Sequence, residues 1–189
     1  GNPSIPAPAG VNEAIAAVIA EMPSLAVHGY TSAVGDFDTR KAISDDLNAR
    51  YNVGTKPEEF FIGCGAAPEL VSVFRALSIP GGEILAIAPY FPEYKVFIEN
   101  SGANMKIVKC RESDLQIDFD ALQKAITNKT KAIIVNSPNN PSGVIIPEED
   151  IIKLSELLNA CQKEFNTDMY LLADEPYREL VFTGEEVPY

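Results

Sequence analysis

The sequence has a single histidine, no tryptophan and only three cysteines among its 189 residues. One histidine cannot build a histidine-based metal site, and His28, next to Gly29, is expected to have a structural role. Cys64, Cys110 and Cys161 are odd in number, widely spaced and not in a C-x-x-C pattern. We therefore expect neither a disulfide framework nor a zinc site, and we interpret the cysteines as reduced, packed thiols.

Positive charge is also scarce, with 15 basic against 27 acidic residues and a formal net charge of -12. This balance argues against a polyanionic partner such as nucleic acid or an anionic membrane surface. No apolar run approaches the roughly 20 residues needed to span a bilayer, and no basic stretch followed by an apolar one opens the chain. The expectation is a cytoplasmic protein with neither a membrane nor a nucleic-acid partner.

Short apolar runs alternate with segments of helical period from Phe60 onward, which is typical of an α/β sheet. Several runs are apolar at consecutive positions, as expected for parallel strands covered by helices on both faces. We therefore predict a three-layer αβα fold with a mostly parallel sheet. The predicted strands are Phe60 to Cys64, Ile84 to Ala88, Met105 to Cys110, Ala132 to Val135 and Met169 to Ala173.

The segments between these runs carry apolar residues at helical spacing. Pro147, followed by three acids, predicts the start of a helix. Its buried stripe is expected at Ile151, Leu154, Leu158, Cys161 and Phe165. A second helix is predicted to begin at Pro68 and a third after Asp118. The buried residues of the second are expected to be Leu70, Val71, Phe74 and Leu77. Two more helices are predicted over residues 11–22 and 38–51, with a loop at 29–36 between them.

Ligands of open parallel sheets bind at the carboxyl ends of the strands, so the segments that follow the strands form the candidate site. Gly63-Cys64-Gly65-Ala66-Ala67-Pro68 follows the first run. Its small residues stand before a helix, where free backbone N–H groups and the helix dipole suit a phosphate dianion. A tight strand-to-helix turn explains the same residues equally well. Neither G-x-G-x-x-G nor G-x-x-x-x-G-K-[ST] is present, which disfavours a nucleotide-binding domain.

Three further segments place aromatic or polar residues at strand ends. Pro89-Tyr90-Phe91-Pro92-Glu93-Tyr94 offers an aromatic ring that could lie on a planar ligand or cap a helix. Asn136-Ser137-Pro138-Asn139-Asn140-Pro141-Ser142-Gly143 is dense in turn formers and predicts a rigid loop, from which an asparagine amide could donate to a ligand oxygen. Asp174 ends a very apolar run, and a carboxylate buried there needs a cationic or hydrogen-bonding partner.

Taken in this order, the segments resemble those of the class I and II aminotransferases, which belong to the fold-type-I pyridoxal-phosphate enzymes. The most specific match is Asn139-Asn140-Pro141-Ser142-Gly143, followed about thirty residues later by Asp174-Glu175-Pro176-Tyr177. The resemblance covers essentially the whole chain. It implies pyridoxal 5'-phosphate as cofactor, an amino acid and a 2-oxo acid as substrates, and a homodimer in the full-length protein.

The resemblance also implies catalytic roles for Asp174, Asn140 and Tyr177. Asp174 would pair with the protonated pyridine nitrogen, so that the ring can accept the electrons left when the substrate Cα loses a proton. Asn140 and Tyr177 would donate hydrogen bonds to the phenolic oxygen of the ring. Phe91 would stack on the face of the ring. No metal is implied.

Phosphate binding is implied for the backbone amides of Ala66 and Ala67, with Gly65 allowing the turn. Many relatives add a polar side chain here, so binding would also depend on residues outside this chain. Tyr30 resembles the tyrosine that reaches the partner subunit's phosphate across a dimer interface. Gly1-Asn2-Pro3 resembles a short motif near the substrate carboxylate.

Two residues of the family have no counterpart in this sequence, namely the Schiff-base lysine and the arginine that grips the substrate α-carboxylate. None of Lys95, Lys131 and Lys153 stands at the family position of that lysine. We therefore expect a fragment of a longer enzyme that is inactive alone. Its expected parts are an N-terminal segment with a dimer-contact loop (1–35) and a partial cofactor-binding domain (36–189), with the C-terminal small domain absent.

Two alternatives remain open within the same fold. A pyridoxal-phosphate-dependent lyase or synthase shares the ring-holding residues and differs in the groups around the substrate. The chain could also be a module that binds the cofactor noncovalently without turnover. Aspartate, alanine, aromatic and branched-chain amino acids all remain open as amino-group donors.

Overall fold

The structure is a computed structural model that describes residues 4–189. Gly1-Asn2-Pro3, the motif expected near the substrate carboxylate, lies outside the described residues. The chain divides into two compact units, of which one ends at Ile62 and the other begins at Gly63. The predicted division after residue 35 concerns contacts with a partner subunit and stays a prediction. None of the helices in the described part is long and apolar enough to cross a membrane.

The unit that ends at Ile62 contains three helices and one 3₁₀ turn: α1 (Gly10–Glu21), α2 (Ser24–His28), α3 (Phe37–Tyr51) and the turn Pro57–Glu59. The side chain of Asp36 caps α3 by accepting a hydrogen bond from the Thr39 N–H at 2.9 Å. Asn48, near the other end of α3, donates to the Thr55 carbonyl at 2.8 Å and accepts from the Thr55 N–H at 2.7 Å. These bonds hold the segment after α3 against the helix.

The unit that begins at Gly63 contains a four-stranded sheet in which every pairing is parallel. The strands are β1 (Glu83–Ala88), β2 (Asn104–Lys109), β3 (Thr130–Asn136) and β4 (Tyr170–Asp174), in the spatial order β2-β1-β3-β4. Helix α4 (Ala66–Leu77) precedes β1, and the strands are connected by helices α5 (Glu93–Ser101), α6 (Phe119–Ala125) and α7 (Glu148–Phe165). Parallel strands need such crossovers, because the chain must return to the end of the sheet where the previous strand began before the next strand can run in the same direction.

Each face of the sheet has its own hydrophobic core, because successive side chains of a strand point to opposite faces. Leu85 and Ile133 pack on one face against Leu122 of α6 and Leu154 of α7. Ile84 and Ile134 pack on the other face. Their partners there are Phe74 of α4 together with Tyr94 and Ile98 of α5. Helices therefore cover both faces, and the predicted three-layer αβα fold with a parallel sheet is confirmed.

The segment from Phe60 to Cys64 forms no strand, so the first of the five predicted strands is wrong. A strand needs a neighbour that shares its backbone hydrogen bonds, and none of the four strands of the sheet pairs with this segment. The Ile62 N–H instead donates to the Val34 carbonyl at 3.1 Å. The apolar composition of the run favoured a strand, but composition does not provide the pairing partner that a strand requires.

Two burial predictions also need correction. Val71 was expected in the core but is 43% exposed, because the buried stripe of α4 runs through Leu70, Phe74 and Leu77. All three cysteines are free, as expected, yet Cys64 is exposed and only Cys161 is fully buried. The helix predicted from Pro68 begins two residues earlier, at Ala66.

Truncation of Leu154 to alanine tests the core between α7 and the sheet. Leu154 is 0% exposed, and removal of a buried leucine side chain typically lowers the free energy of unfolding by about 2–5 kcal/mol. Denaturant unfolding followed by circular dichroism measures this loss. The control is Ile152→Ala on the opposite face of the same helix, where the side chain is 53% exposed. Equal losses for the two variants would contradict the assignment of the buried face.

Candidate functional site

A cavity of about 220 Å³ lies where α4 begins and where β3 and β4 end. Its walls are Ala66, Ala67, Leu70, Phe91, Asn136, Asn140, Asp174, Pro176 and Tyr177. The structure thus brings together six residues that are distant in the sequence and that the sequence singled out for a ligand site, namely Ala66, Ala67, Phe91, Asn140, Asp174 and Tyr177. All of them belong to the unit that begins at Gly63.

Asp174 is the last residue of β4. It is 9% exposed and forms part of the cavity wall. One of its oxygens, Oδ2, accepts a short hydrogen bond from the hydroxyl of Tyr94. No lysine or arginine of residues 4–189 forms an ion pair with it, and the adjacent Glu175 is paired with Arg178. Burial raises the pKa of Asp174, and the charge of Glu175 adds to the rise, while the bond from Tyr94 opposes it.

Tyr94, in the first turn of α5, keeps its proton and therefore acts as a donor. Burial raises its pKa far above the usual range, and the hydrogen bond to Asp174 raises it further. The ring of Phe91 meets the ring of Tyr94 edge to face, with 5.6 Å between centroids and an interplanar angle of 76°. Tyr94 thus contacts both the acid and the aromatic ring that line the cavity.

Asn140 and Tyr177 lie side by side, with the amide Nδ2 of Asn140 donating to the Tyr177 hydroxyl at 3.0 Å. The loop that carries Asn140 is held from within. Asn139 accepts hydrogen bonds from the Ser142 N–H at 3.1 Å and from its hydroxyl at 2.7 Å. Gly143, at a φ of 76° that favours glycine, closes the turn through its N–H to the Asn139 carbonyl at 2.7 Å. The turn that the sequence predicted is thus closed by hydrogen bonds within the loop.

The start of α4 provides the main-chain donors. Gly65 stands just before the helix with a φ of 111°, a conformation that side chains disfavour. Ala66 and Ala67 are its first two residues, and N–H groups in the first turn of a helix have no acceptor within the helix. Because both side chains are methyl groups, only the backbone can donate to a ligand here.

Tyr30 lies in the other unit, between α2 and α3, and its side chain is fully exposed. Its expected contact is with the phosphate of a partner subunit, so that role stays a prediction.

Sequence reasoning assigned no role to Asn136 or Tyr94, which belong to the site. Asn136 lines the cavity, and its Nδ2 donates to the Asp174 carbonyl at 2.7 Å. Its position as the polar end of an apolar strand is the same pattern that marked Asp174. Tyr94 was noted only as one of three aromatics. Nothing in the sequence indicated which of them would meet the acid.

The parallel sheet with helices on both faces is the fold of the fold-type-I aminotransferases, to which the solved structures similar to this chain belong. The family model for aminotransferase class I and II matches residues 7–188. The chain belongs to this family, which generally uses pyridoxal phosphate.

Comparison with individual proteins agrees with this assignment. The chain is 31% identical over 185 residues to a probable aspartate/prephenate aminotransferase of Thermus aquaticus, covering 97% of this chain and 46% of that protein. A solved aminotransferase structure from Eubacterium rectale is 47% identical to this chain, with a TM-score of 0.96. The match covers 100% of this chain and 48% of the Eubacterium rectale chain. The structure of the Thermus thermophilus aspartate aminotransferase with maleate is 30% identical to this chain, with a TM-score of 0.85. This match covers 100% of this chain and 47% of the Thermus thermophilus chain. The chain spans about half the length of the relatives it matches.

The raised pKa of Asp174 predicts how the stability of the cofactor-free protein depends on pH. The folded protein binds this proton more tightly than the unfolded chain, so stability falls as pH rises from the ordinary value of 3.8 through the raised folded pKa. Below 3.8 both states are protonated and the effect is absent. The Asp174→Asn variant has no carboxylate to ionise and does not lose this stability. The melting temperature of the variant minus that of the wild type should therefore increase as pH rises.

Asp114→Asn is the control, because Arg111 lowers the pKa of this exposed acid and reverses the sign of the effect. The stability contributed by Asp114 is present above pH 3.8 and is lost as pH falls through the lowered folded pKa. Parallel melting curves for wild type and Asp174→Asn across the pH series would show that the carboxylate is not penalised by burial.

Proposed function

We propose that this chain is the pyridoxal-5'-phosphate-binding part of an aminotransferase that moves an amino group from an amino acid to a 2-oxo acid. Because the chain spans about half the length of its relatives, the activity belongs to the full-length protein. The observation that carries the proposal is the buried Asp174 carboxylate, which faces the cavity and has no cation partner among residues 4–189.

A buried carboxylate without a counter-charge is unfavourable unless a cationic ligand completes the site. A protonated pyridine nitrogen is such a ligand, and it would return the pKa of Asp174 towards its usual range. When bound, pyridoxal phosphate supplies the electron sink for the electrons of the substrate Cα–H bond. The part of Asp174 is to keep the ring nitrogen protonated, and the part of Tyr94 is to hold the Asp174 carboxylate in place.

Asn140 and Tyr177 suit the phenolic oxygen of the same ring. Their polar groups are 3.0 Å apart and line the cavity together, so one ligand oxygen can accept from both. Two donors stabilise the anionic form of that oxygen. Phe91, in the wall of the cavity, provides an aromatic face for the ring.

The phosphate would be held by the backbone N–H groups of Ala66 and Ala67, for which Gly65 sets the turn. None of the side chains that line this cavity is cationic. Compensation of the phosphate charge must therefore come from elsewhere, and Tyr30 of the partner subunit is proposed as one further contact. Three apolar residues of α1 and the residue that follows it are exposed in this chain and support a homodimer, namely Ile15, Val18, Ile19 and Met22.

The test of this function uses the full-length protein, incubated with pyridoxal phosphate and reduced with borohydride, with intact mass and peptide mapping as the measurement. A cofactor mass on one lysine outside this chain is expected. A panel of amino-acid donors, aspartate among them, with 2-oxo acids and prephenate as acceptors then shows transfer. Release of an eliminated fragment in place of a 2-oxo acid would identify a lyase instead, and no cofactor adduct at all would overturn the proposal.

Replacement of Asp174 should affect turnover far more than folding. Asp174→Asn removes the charge that keeps the ring nitrogen protonated, and loss of one preorganised electrostatic contact typically lowers kcat by about 10²- to 10³-fold. Steady-state kinetics on the full-length protein measures this. Asp168→Asn, an exposed acid just before β4, is the matched control and should leave kcat unchanged. A kcat of the Asp174 variant within about twofold of the wild type would contradict the assigned role.

A further inference from the structure

Asn136 occupies the point where the hydrogen-bond ladder between β3 and β4 ends. It is opposite Asp174 in the parallel register, and this is the last pair of the two strands. Its side chain is 5% exposed and contributes to the wall of the cavity. After this pair the two strands end, and the segments that follow them carry Asn140 and Tyr177.

The side chain of Asn136 makes two hydrogen bonds at this point, one to the end of β4 and one to the loop that follows β3. Its Nδ2 donates to the backbone carbonyl of Asp174 at 2.7 Å. Its Oδ1 accepts from the backbone N–H of Asn140 at 2.6 Å. One amide thus connects the main chain at the acid with the main chain at the asparagine that lies beside Tyr177.

These contacts close a ring of interactions. Asn140 reaches Tyr177 through its own amide at 3.0 Å, and Tyr177 is three residues after Asp174, in the turn that follows β4. Asn136 completes this closed set of contacts, because its side chain links the backbone of Asp174 to the backbone of Asn140. The relative position of the acid and the asparagine therefore depends on a side chain to which we assign no contact with the ligand.

We propose that Asn136 is a positioning residue that sets the separation of Asp174 and Asn140, so that both can engage one cofactor ring. This inference rests on the proposed function, which places the ring nitrogen at Asp174 and the phenolic oxygen at Asn140. Small displacements of binding groups weaken a preorganised site strongly.

Asparagine is the side chain that suits this position. An aspartate would keep the acceptor for the Asn140 N–H, but it would lose the donor and place a second negative charge near Asp174. An apolar residue would leave a buried carbonyl and a buried N–H without their partner. A serine is too short to reach both groups at once.

The chain offers a matched control in Asn48, which makes the same pair of bonds within the other unit. Its Nδ2 donates to the Thr55 carbonyl at 2.8 Å, and its Oδ1 accepts from the Thr55 N–H at 2.7 Å. Each of the variants Asn48→Ala and Asn136→Ala removes one bond to a backbone carbonyl and one from a backbone N–H, and Asn48→Ala also removes a bond from the Thr55 hydroxyl at 3.1 Å. A purely structural role for Asn136 predicts that both variants lose thermal stability and that neither alters cofactor binding.

The experiment compares wild type, Asn136→Ala and Asn48→Ala as full-length proteins. Pyridoxal-phosphate affinity is measured by equilibrium dialysis, the pH midpoint of the absorption of the bound cofactor by titration, and folding by thermal melting. For Asn136→Ala we expect cofactor affinity to fall by about 10- to 100-fold, the range seen when a residue that orients a ligand-binding group is removed. The pH midpoint should shift as well, while Asn48→Ala retains both wild-type values.

An Asn136→Ala variant that folds and keeps wild-type affinity and pH midpoint would overturn the positioning role while leaving the proposed function intact. A wild type that does not bind pyridoxal phosphate would overturn both proposals. If Asn136→Ala does not fold, Asn136→Ser replaces it under the same criteria, since its hydroxyl retains one of the two partners. An equal loss of affinity in Asn48→Ala would attribute the effect to general destabilisation and would also count against the proposal.

Discussion

The Asp174 carboxylate lies at the end of a parallel strand, where a tyrosine hydroxyl holds it and no cation of residues 4–189 neutralises it. Burial of an acid opposes its ionisation. The bond from Tyr94 reduces this cost only in part, and the negative charge of Glu175 adds to it. The charge of the site is therefore uncompensated in the protein alone, and the cationic ring of the proposed cofactor is the counter-charge that we propose for it.

The rest of the unit that begins at Gly63 serves to hold this carboxylate in position. Parallel pairing brings the carboxyl ends of β3 and β4 to the same edge of the sheet, and the last register pair joins Asn136 to Asp174. The two hydrophobic cores fix the sheet from both sides, and one of them includes Tyr94, which connects α5 with the acid. Tyr94 thus belongs both to the hydrophobic core and to the hydrogen bond with Asp174. A substitution in the core on that face is therefore expected to change the position of the Asp174 carboxylate.

Much of this architecture could be predicted from local patterns. Consecutive apolar residues predicted four of the strands, and the acids after Pro147 predicted the start of α7, because these features depend on burial and on helix-end electrostatics. The strand predicted at Phe60 to Cys64 failed because a strand depends on a partner that composition does not reveal. Val71 was misplaced for a related reason, since the exact rotation of a helix on a sheet is decided by packing.

For the site, the sequence by itself determined the identity of the polar and aromatic residues at the strand ends, because parallel sheets collect ligands there and because those residue types carry the chemistry. Only the tertiary structure decided which of them meet. The bond from Tyr94 to Asp174 joins residues 80 positions apart, and the bond from Asn136 to the Asp174 carbonyl joins residues 38 positions apart. Such contacts follow from strand order, register and helix packing, which are properties of the whole fold and leave no local pattern in the sequence.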